Sequence, residues 1–268
     1  MSDKELEQRI ETARAAVRAA IPYFNEHFSK VESFWKRDDS RVTEADLTIS
    51  GETIAFLKKA FPNDDFCSEE DLPAPGDPAR KLHARFAWVL DPIDGTNNFA
   101  RGMAICAISL ALLENGFPVY GIIYDFSQKS LLEGGKTIPL SRDGVPAKPF
   151  SPEFDHHSLV SFHYPIKPEE TKALLPFTTV NPIRVFGSAA LTLAYNAFGA
   201  IDGSTDYNTK VWDIAAAAAM IEAAGREIIY LGKTPAFPLR EVSADMPRLR
   251  WIAGTPSFLA RAREVGLI

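Results

Sequence analysis

Apolar residues recur at steps of three and four at the start of the chain: Leu6, Ile10, Ala13, Val17, Ala20, Phe24 and Phe28. That spacing predicts an amphipathic helix. Pro22 falls inside the pattern and is expected to kink or end the helix near Ile21, because it lacks an N–H and its ring collides with the preceding turn. A second helix is predicted from about Asp46 to Ala60, with Ile54, Leu57 and Phe61 on one side. Phe61-Pro62-Asn63-Asp64 stops it. The apolar run Phe86 to Leu90 reads as a buried strand entering a tight turn, Asp91-Pro92-Ile93-Asp94-Gly95. Ala104 to Leu113 and Val119 to Tyr124 are rich in strand formers and read as an antiparallel hairpin across Glu114 to Pro118. Leu131 to Glu133 suggests a third strand.

The stretch Ser141 to Pro152 holds Gly144, Pro146, Pro149 and Pro152 and is the best boundary. It divides the chain into an N-terminal α+β subdomain, residues 1–145, and a C-terminal α/β subdomain, residues 146–268. In the second part strands are predicted at Ser158 to Phe162, Glu227 to Leu231 and Arg250 to Ala253. Helices are predicted at Pro168 to Leu175, at Ser188 to Phe198, and at Asp213 to Ala224, the last closed by Gly225. Thr255-Pro256 has the N-cap and first-turn chemistry of a final helix. The pattern implies sheets covered by helices.

Composition narrows the classes. With 268 residues, 46% hydrophobic and 24% charged, the chain is an ordinary globular protein with one or two domains. The net charge of −6 argues against broad nucleic-acid or anionic-membrane binding. The longest uncharged stretch, Val185 to Ile201, contains Ser188, Thr192 and Asn196 and reads as core, not as a membrane span. The N-terminus lacks the apolar core of a secretory signal. Cys67 and Cys106 form no metal spacing, and together these features suggest a reducing, cytoplasmic compartment.

The candidate chemistry is acidic. In Asp91-Pro92-Ile93-Asp94-Gly95-Thr96, two carboxylates three residues apart can point at one spot, with the Ile93 carbonyl between them. Gly95 lets the backbone approach a ligand, and Thr96 supplies a hydroxyl near a possible helix start, where backbone N–H groups suit phosphate. An all-oxygen donor set suits a hard cation such as Mg²⁺. Taken alone the string is equally a turn. Ser68-Glu69-Glu70-Asp71 reads by itself as a solvated acidic loop. Asp213, in Trp212-Asp213-Ile214-Ala215-Ala216, reads alone as a helix cap, although a buried Trp212 would hold it at a core edge. Asp46 is a cap or surface residue on the same terms. Lys36 and Arg184 are lone basic residues, each able to meet phosphate but read as surface on spacing alone. The histidines, His163 among them, have no zinc-protease spacing.

In combination the motifs say more. Thr43-Glu44-Ala45-Asp46, Glu69-Glu70, Asp91 to Phe99, Gly187-Ser188-Ala189-Ala190-Leu191 and Trp212 to Ala216 follow in order. This resembles the inositol monophosphatase family of Mg²⁺-dependent phosphatases, over about residues 36 to 225. The resemblance implies a layered αβαβα sugar-phosphatase fold in two subdomains, usually a homodimer, and a small phosphorylated polyol or sugar as substrate. It implies two or three Mg²⁺ per active site, with Mn²⁺ a substitute. Glu69, Asp91, the Ile93 carbonyl, Asp94 and Asp213 resemble the metal ligands. Asp46, Glu69 and Thr96 resemble the catalytic groups: Asp46 would hold the attacking water or another Mg²⁺, and Thr96 would be its partner in activating that water. The backbone at Gly95 and Thr96 would hold phosphate. Asp94, Ser188, Ala189, Asp206 and Asp213 would face the substrate. Asp206 stands where the family often has glutamate, one methylene longer, and Lys36 matches the family's basic position loosely. Asn97-Asn98-Phe99 leans toward an inositol monophosphatase-like enzyme. The alternatives are phosphatases of histidinol phosphate, fructose 1,6-bisphosphate or 3′-phosphoadenosine 5′-phosphate, or, more remotely, an inactive metal- or phosphate-binding protein.

Overall fold

The computed structural model describes residues 2–36, 41–148, 153–232 and 235–268. In chain order the elements are α1 (Ser2–His27), β1 (Ser33–Trp35), β2 (Arg41–Thr43), α2 (Glu44–Ala60), β3 (Asp65–Ser68), β4 (Arg80–Lys81), β5 (Phe86–Asp94) and α3 (Thr96–Ala100). Next come β6 (Ala107–Glu114), β7 (Phe117–Asp125), β8 (Ser130–Gly135), β9 (Ile138–Arg142), β10 (Val145–Pro146), β11 (Val160–Phe162), α4 (Pro168–Thr178) and β12 (Ile183–Arg184). The chain ends with α5 (Ala189–Ala197), β13 (Gly203–Thr209), α6 (Val211–Ala223), β14 (Glu227–Tyr230), β15 (Glu241–Val242), β16 (Leu249–Gly254) and α7 (Pro256–Glu264).

Two sheets organise these elements. One has seven strands in the order β10-β9-β8-β7-β6-β5-β3, antiparallel except where β3 joins β5. The other has five, β12-β11-β13-β16-β14, with β11 parallel to both its neighbours. Side chains alternate across each strand, so one strand serves two layers. Trp88 and Leu90 of β5 meet Val17 and Phe24 of α1 and Ile49 and Leu57 of α2. Ala87 and Val89 face the other way, onto α5 and α6, which also reach Trp251 and Ala253 of β16. Ile252 points out of that second sheet, toward Phe177 of α4 and Phe258 of α7. The layers are therefore α, β, α, β, α, the order expected.

Several local expectations change. Helix α1 runs through Pro22 to His27. A proline inside a helix costs about 3 kcal/mol, but Phe24 beyond it is fully buried against Phe99, Tyr124 and Phe126. One buried aromatic side chain contributes about 1.5–3 kcal/mol, which offsets most of that cost. The Asp91 to Asp94 segment is not a turn after the strand but its last four residues. Against β6, Asp91 faces Ser109 and Asp94 faces Ala107, so one extra residue bulges there. Asp213 does not open α6; it lies in the first turn, two residues inside Val211. The β6–β7 turn is just Asn115-Gly116, both at positive φ (52 and 81), the geometry that suits a twisted hairpin. The first part of the stretch expected as a boundary folds back as β9 and β10, and residues 149–152 lie outside the described residues. Strand β13, which carries Asp206, has no clear alternation in the sequence.

Helix α6 sits almost on the backbone of β7. A Cβ built on Gly121 would lie 2.0 Å from the Ala216 carbonyl oxygen. The alanine run Ala215 to Ala219 and Gly121 are thus two sides of one close approach. Gly121→Ala is expected to lower the melting temperature by about 5 °C or more, since so close a contact puts the overpacking at the upper end of about 1–3 kcal/mol and each kcal/mol moves a chain of this size by roughly 2–4 °C. An unchanged melt would mean that α6 is not seated there.

Candidate active site

Of the carboxylates named from the sequence, Asp46 lies on α2, Glu69 just after β3, Asp91 and Asp94 on β5, Asp206 on β13 and Asp213 on α6. Parallel pairing sets Ser68 opposite Leu90, and the Glu69 N–H donates to the Leu90 carbonyl at 3.1 Å. Glu69 therefore stands beside Asp91, although the two are 22 positions apart in the chain. The first turn of α6 brings Asp213 to the same place. One oxygen from each of Glu69, Asp91 and Asp213 lies within 4.8 Å of the others.

Asp46 lies next to this group and is buried. It is neither a surface residue nor the cap. Thr43 caps α2, and its N–H and hydroxyl donate to Asp46 Oδ2 at 2.7 and 2.6 Å. That leaves Oδ1 facing the Thr96 hydroxyl at 3.2 Å. Thr96 Oγ is also 2.9 Å from the Ile93 carbonyl oxygen. Its single proton serves one of these acceptors at a time, and its lone pairs are left for a water.

Asp94 is turned toward the start of α5. It accepts from the N–H of Ala189 at 3.2 Å, from the N–H of Ala190 at 3.1 Å, and from the Ser188 hydroxyl. A helix start carries partial positive charge, so a carboxylate is at home there. Asp94 is not one of the three groups that converge. Gly95 sits between α3 and this junction at φ 82, and an added Cβ would lie 3.0 Å from the Ile105 carbonyl oxygen and 3.2 Å from that of Gly187. Here glycine is required both by conformation and by the close approach of two backbone segments.

Glu69 and Glu70 do not lie in a solvated loop. Lys36 bridges them at 2.8 and 2.6 Å and is partly buried, so its surface reading is corrected too. Burial works against the Lys36 charge, but the two glutamates hold its pKa above the usual lysine value. Arg184 is exposed on β12, donating to the Ile183 carbonyl, and stays outside the group.

The electrostatics follow from burial of like charges. Burial pushes the Asp46 carboxyl up to about 6, against the pull of its Thr43 bonds. Burial, with Glu69 nearby, pushes Glu70 up to about 7. Asp94 rises to about 7 through burial despite its donors on α5. Asp91 and Asp213 lie well above the ordinary carboxylate range, first from burial and then from Glu69 and Asp94. An unpaired buried carboxylate is costly, so this group calls for a cation to balance it.

Beyond the carboxylates is a cavity of about 200 Å³, lined in part by Asp94, Gly187, Ser188, Ala189, Asp206 and Asp213. Asp206 accepts from the Asn208 N–H at 2.8 Å. Two contributors were not assigned from the sequence. Asn98 donates to the carbonyls of Ile105 and Phe186, each at 2.8 Å, and so braces α3 against the loop before α5. Its signal was its place in the Asp91 to Phe99 motif. His163 also lines the cavity. No local pattern marks it, because only the parallel pairing of β11 with β13 brings it level with Asp206.

A model of the inositol monophosphatase family matches residues 5–260. A probable inositol 1-monophosphatase ImpA of Mycobacterium tuberculosis is 30% identical over 254 residues, 90% of each chain. A fructose-1,6-bisphosphatase/inositol-1-monophosphatase of Aquifex aeolicus is 26% identical over 239 residues, 86% of this chain and 88% of that one. Among solved structures, the IMPase of Thermotoga maritima superposes with a TM-score of 0.79 at 22% identity, covering 96% of each chain. An IMPase/NADP phosphatase solved with NADP and Ca²⁺ gives a TM-score of 0.82 at 20% identity, covering 98% of this chain and 97% of that one. At these identities the two structures speak for a shared fold.

Proposed function

Since the chain belongs to the inositol monophosphatase family and is a phosphomonoester hydrolase, we propose that it hydrolyses a small phosphorylated polyol or sugar, myo-inositol 1-phosphate first among them, with the help of Mg²⁺. The observation that carries this reading is the convergence of Glu69, Asp91 and Asp213 beside the Asp46–Thr96 pair.

The donor set fits the ion. It is all oxygen and largely buried, and Lys36 supplies a balancing charge to Glu69 and Glu70. Hard divalent cations take such ligands, and Mn²⁺ would substitute for Mg²⁺. Glu69, Asp91, the Ile93 carbonyl and Asp213 would hold two or three ions, with Asp94 contributing lone pairs that its bonds to α5 leave over. Bound there, such ions supply neutralising charge for the phosphate oxygens and a water of lowered pKa.

The chain's own groups do the rest. Thr96 Oγ accepts from the attacking water and holds it in line with the scissile bond. Asp46 Oδ1, on the far side of that hydroxyl and near neutrality in its own titration, receives the proton. The N–H groups at Gly95 and Thr96 hold the phosphate, and Ser188, Ala189 and Asp206 face the leaving alcohol. Thr96→Ala is expected to lower kcat by about 10²-fold, in the range of general acid–base catalysis, with the melting temperature kept within about 2 °C. Thr96→Ser should retain most of the activity. A Thr96→Ala enzyme as active as the parent would remove the hydroxyl from the mechanism.

Ranking substrates by kcat/KM tests the assignment. The panel is myo-inositol 1-phosphate, fructose 1,6-bisphosphate, histidinol phosphate, 3′-phosphoadenosine 5′-phosphate and NADP, the second and last included because relatives carry those names. Inositol 1-phosphate is expected to lead. A lead of tenfold or more for any other would reassign the substrate. A homodimer and a cytoplasmic location belong to the same proposal. Both cysteines are buried and unpaired, as a reducing compartment leaves them.

A further inference from the structure

We propose that Ser109 is a positioning residue of the metal site, its hydroxyl donating to the Asp91 carboxylate and fixing the plane in which that carboxylate meets a divalent cation. The assignment rests on the metal-dependent reading of the same carboxylates.

Ser109 lies in the middle of β6. It is 1% exposed, and its Oγ has no hydrogen-bond partner among the described residues. A buried hydroxyl without a partner has lost its bonds to water and gained nothing in return, so it calls for a reason. The strand register supplies one. Ser109 stands directly opposite Asp91 of β5 on one side and Ile123 of β7 on the other. Residues opposite one another across an antiparallel pair project to the same face, with Cβ atoms about 5 Å apart. Alternation puts that face with Ala107 and Ala111 of β6 and Val89 of β5, against α5 and α6. Ser109 is thus a hydroxyl set among apolar side chains, and Asp91 is the acceptor beside it. Asp125 lies diagonally across β7, opposite Ala107. Its oxygens already accept from the Ser127 hydroxyl, the Gln128 N–H and the Tyr195 hydroxyl.

Asp91 has capacity for the bond. A carboxylate offers about four lone-pair sites. The Ile93 N–H occupies one of them, at 3.1 Å on Oδ1, and one oxygen faces Glu69 and Asp213. A serine hydroxyl has three staggered positions, so rotation about χ1 can carry it toward the carboxylate with both strands in place. A hydrogen bond to a ligating carboxylate holds its orientation, and such bonds are worth about tenfold to a hundredfold in metal affinity. Ser109 would therefore act on the ion through Asp91, touching neither the ion nor the substrate.

The Mg²⁺ dissociation constant, read from the rise of the melting temperature with added MgCl₂, tests this without reference to turnover. Ser109→Ala is expected to raise that constant by about tenfold or more. Its melt in EDTA should stay within about 2 °C of the parent, because the hydroxyl has no partner there to lose. Ser109→Thr keeps the hydroxyl and should bind Mg²⁺ within about threefold of the parent. An unchanged constant in Ser109→Ala would overturn the assignment. So would a melt of Ser109→Ala in EDTA lowered by more than that margin, which would make the hydroxyl a structural bond. A loss of affinity in Ser109→Thr equal to that in Ser109→Ala would also count against it, since the hydroxyl would then not be the cause. A parent protein whose melt does not respond to MgCl₂ would overturn the metal-dependent reading itself, and this assignment with it.

Discussion

Asp91→Asn is expected to lose at least about 10³-fold in kcat while folding as well as the parent, or better. Asp91 is fully enclosed, and its carboxylate is crowded by those of Glu69, Asp94, Asp213 and Asp46. An amide in its place keeps the shape and can still accept from the Ile93 N–H, which now donates to Asp91 Oδ1 at 3.1 Å. It removes one negative charge from a group that has too many. In EDTA at pH 8 the variant should therefore melt above the parent. In saturating Mg²⁺ the order should reverse, because the parent then gains more from the ion. Activity within tenfold of the parent would mean that Asp91 is not a ligand. Collapse of the fold in both buffers would mean that its place is structural.

Mg²⁺ is expected to stabilise the protein strongly at pH 8 and weakly at pH 5. In the unfolded chain the carboxyls ionise near pH 4. In the folded chain Asp46 holds its proton to about 6 and Asp94 to about 7, while Asp91 and Asp213 hold theirs well above the ordinary range. Between those limits the folded state binds more protons than the unfolded one, so stability without metal falls as pH rises from about 4 to 7. A divalent ion removes that penalty once the groups are ionised. At a hundred times its dissociation constant, a ligand adds about 2.7 kcal/mol, or roughly 5–10 °C for a chain of this size. At pH 5 protons already occupy the folded carboxyls, and the gain should be under about 2 °C. Differential scanning in EDTA and in Mg²⁺ at the two pH values reads this directly. A shift of the same size at both would show that these carboxylates do not hold the ion.

The parts of the site that one segment builds were legible in the sequence. Asp91, Ile93, Asp94 and Thr96 lie within six residues and stay close along the chain, although Asp94 turns to the start of α5 and does not join the three carboxylates that converge. Asp213 was legible through its motif, although its place inside the first turn of α6 depends on Lys210, whose N–H it accepts at 2.7 Å. What pairing across the fold decides was not legible locally. Glu69 looked like part of a solvated loop until the register of β3 against β5 set it next to Asp91. Asp46 looked like a cap until Thr43 took that role. Lys36 gained its partners only from the fold. Pro22 misled for a similar reason. A local rule about proline gave way to aromatic packing on Phe99, Tyr124 and Phe126, which lie far along the chain. His163 shows the limit most clearly, since only the pairing of β11 with β13 brings it to the cavity.

The most direct test is phosphate release from myo-inositol 1-phosphate by protein first stripped with EDTA and then titrated with MgCl₂. Release should be at least about a hundredfold lower in EDTA and should return along a saturable curve as Mg²⁺ is added. Release at the same rate with and without Mg²⁺ would contradict the central claim, that the converging carboxylates exist to hold a divalent ion for phosphomonoester hydrolysis.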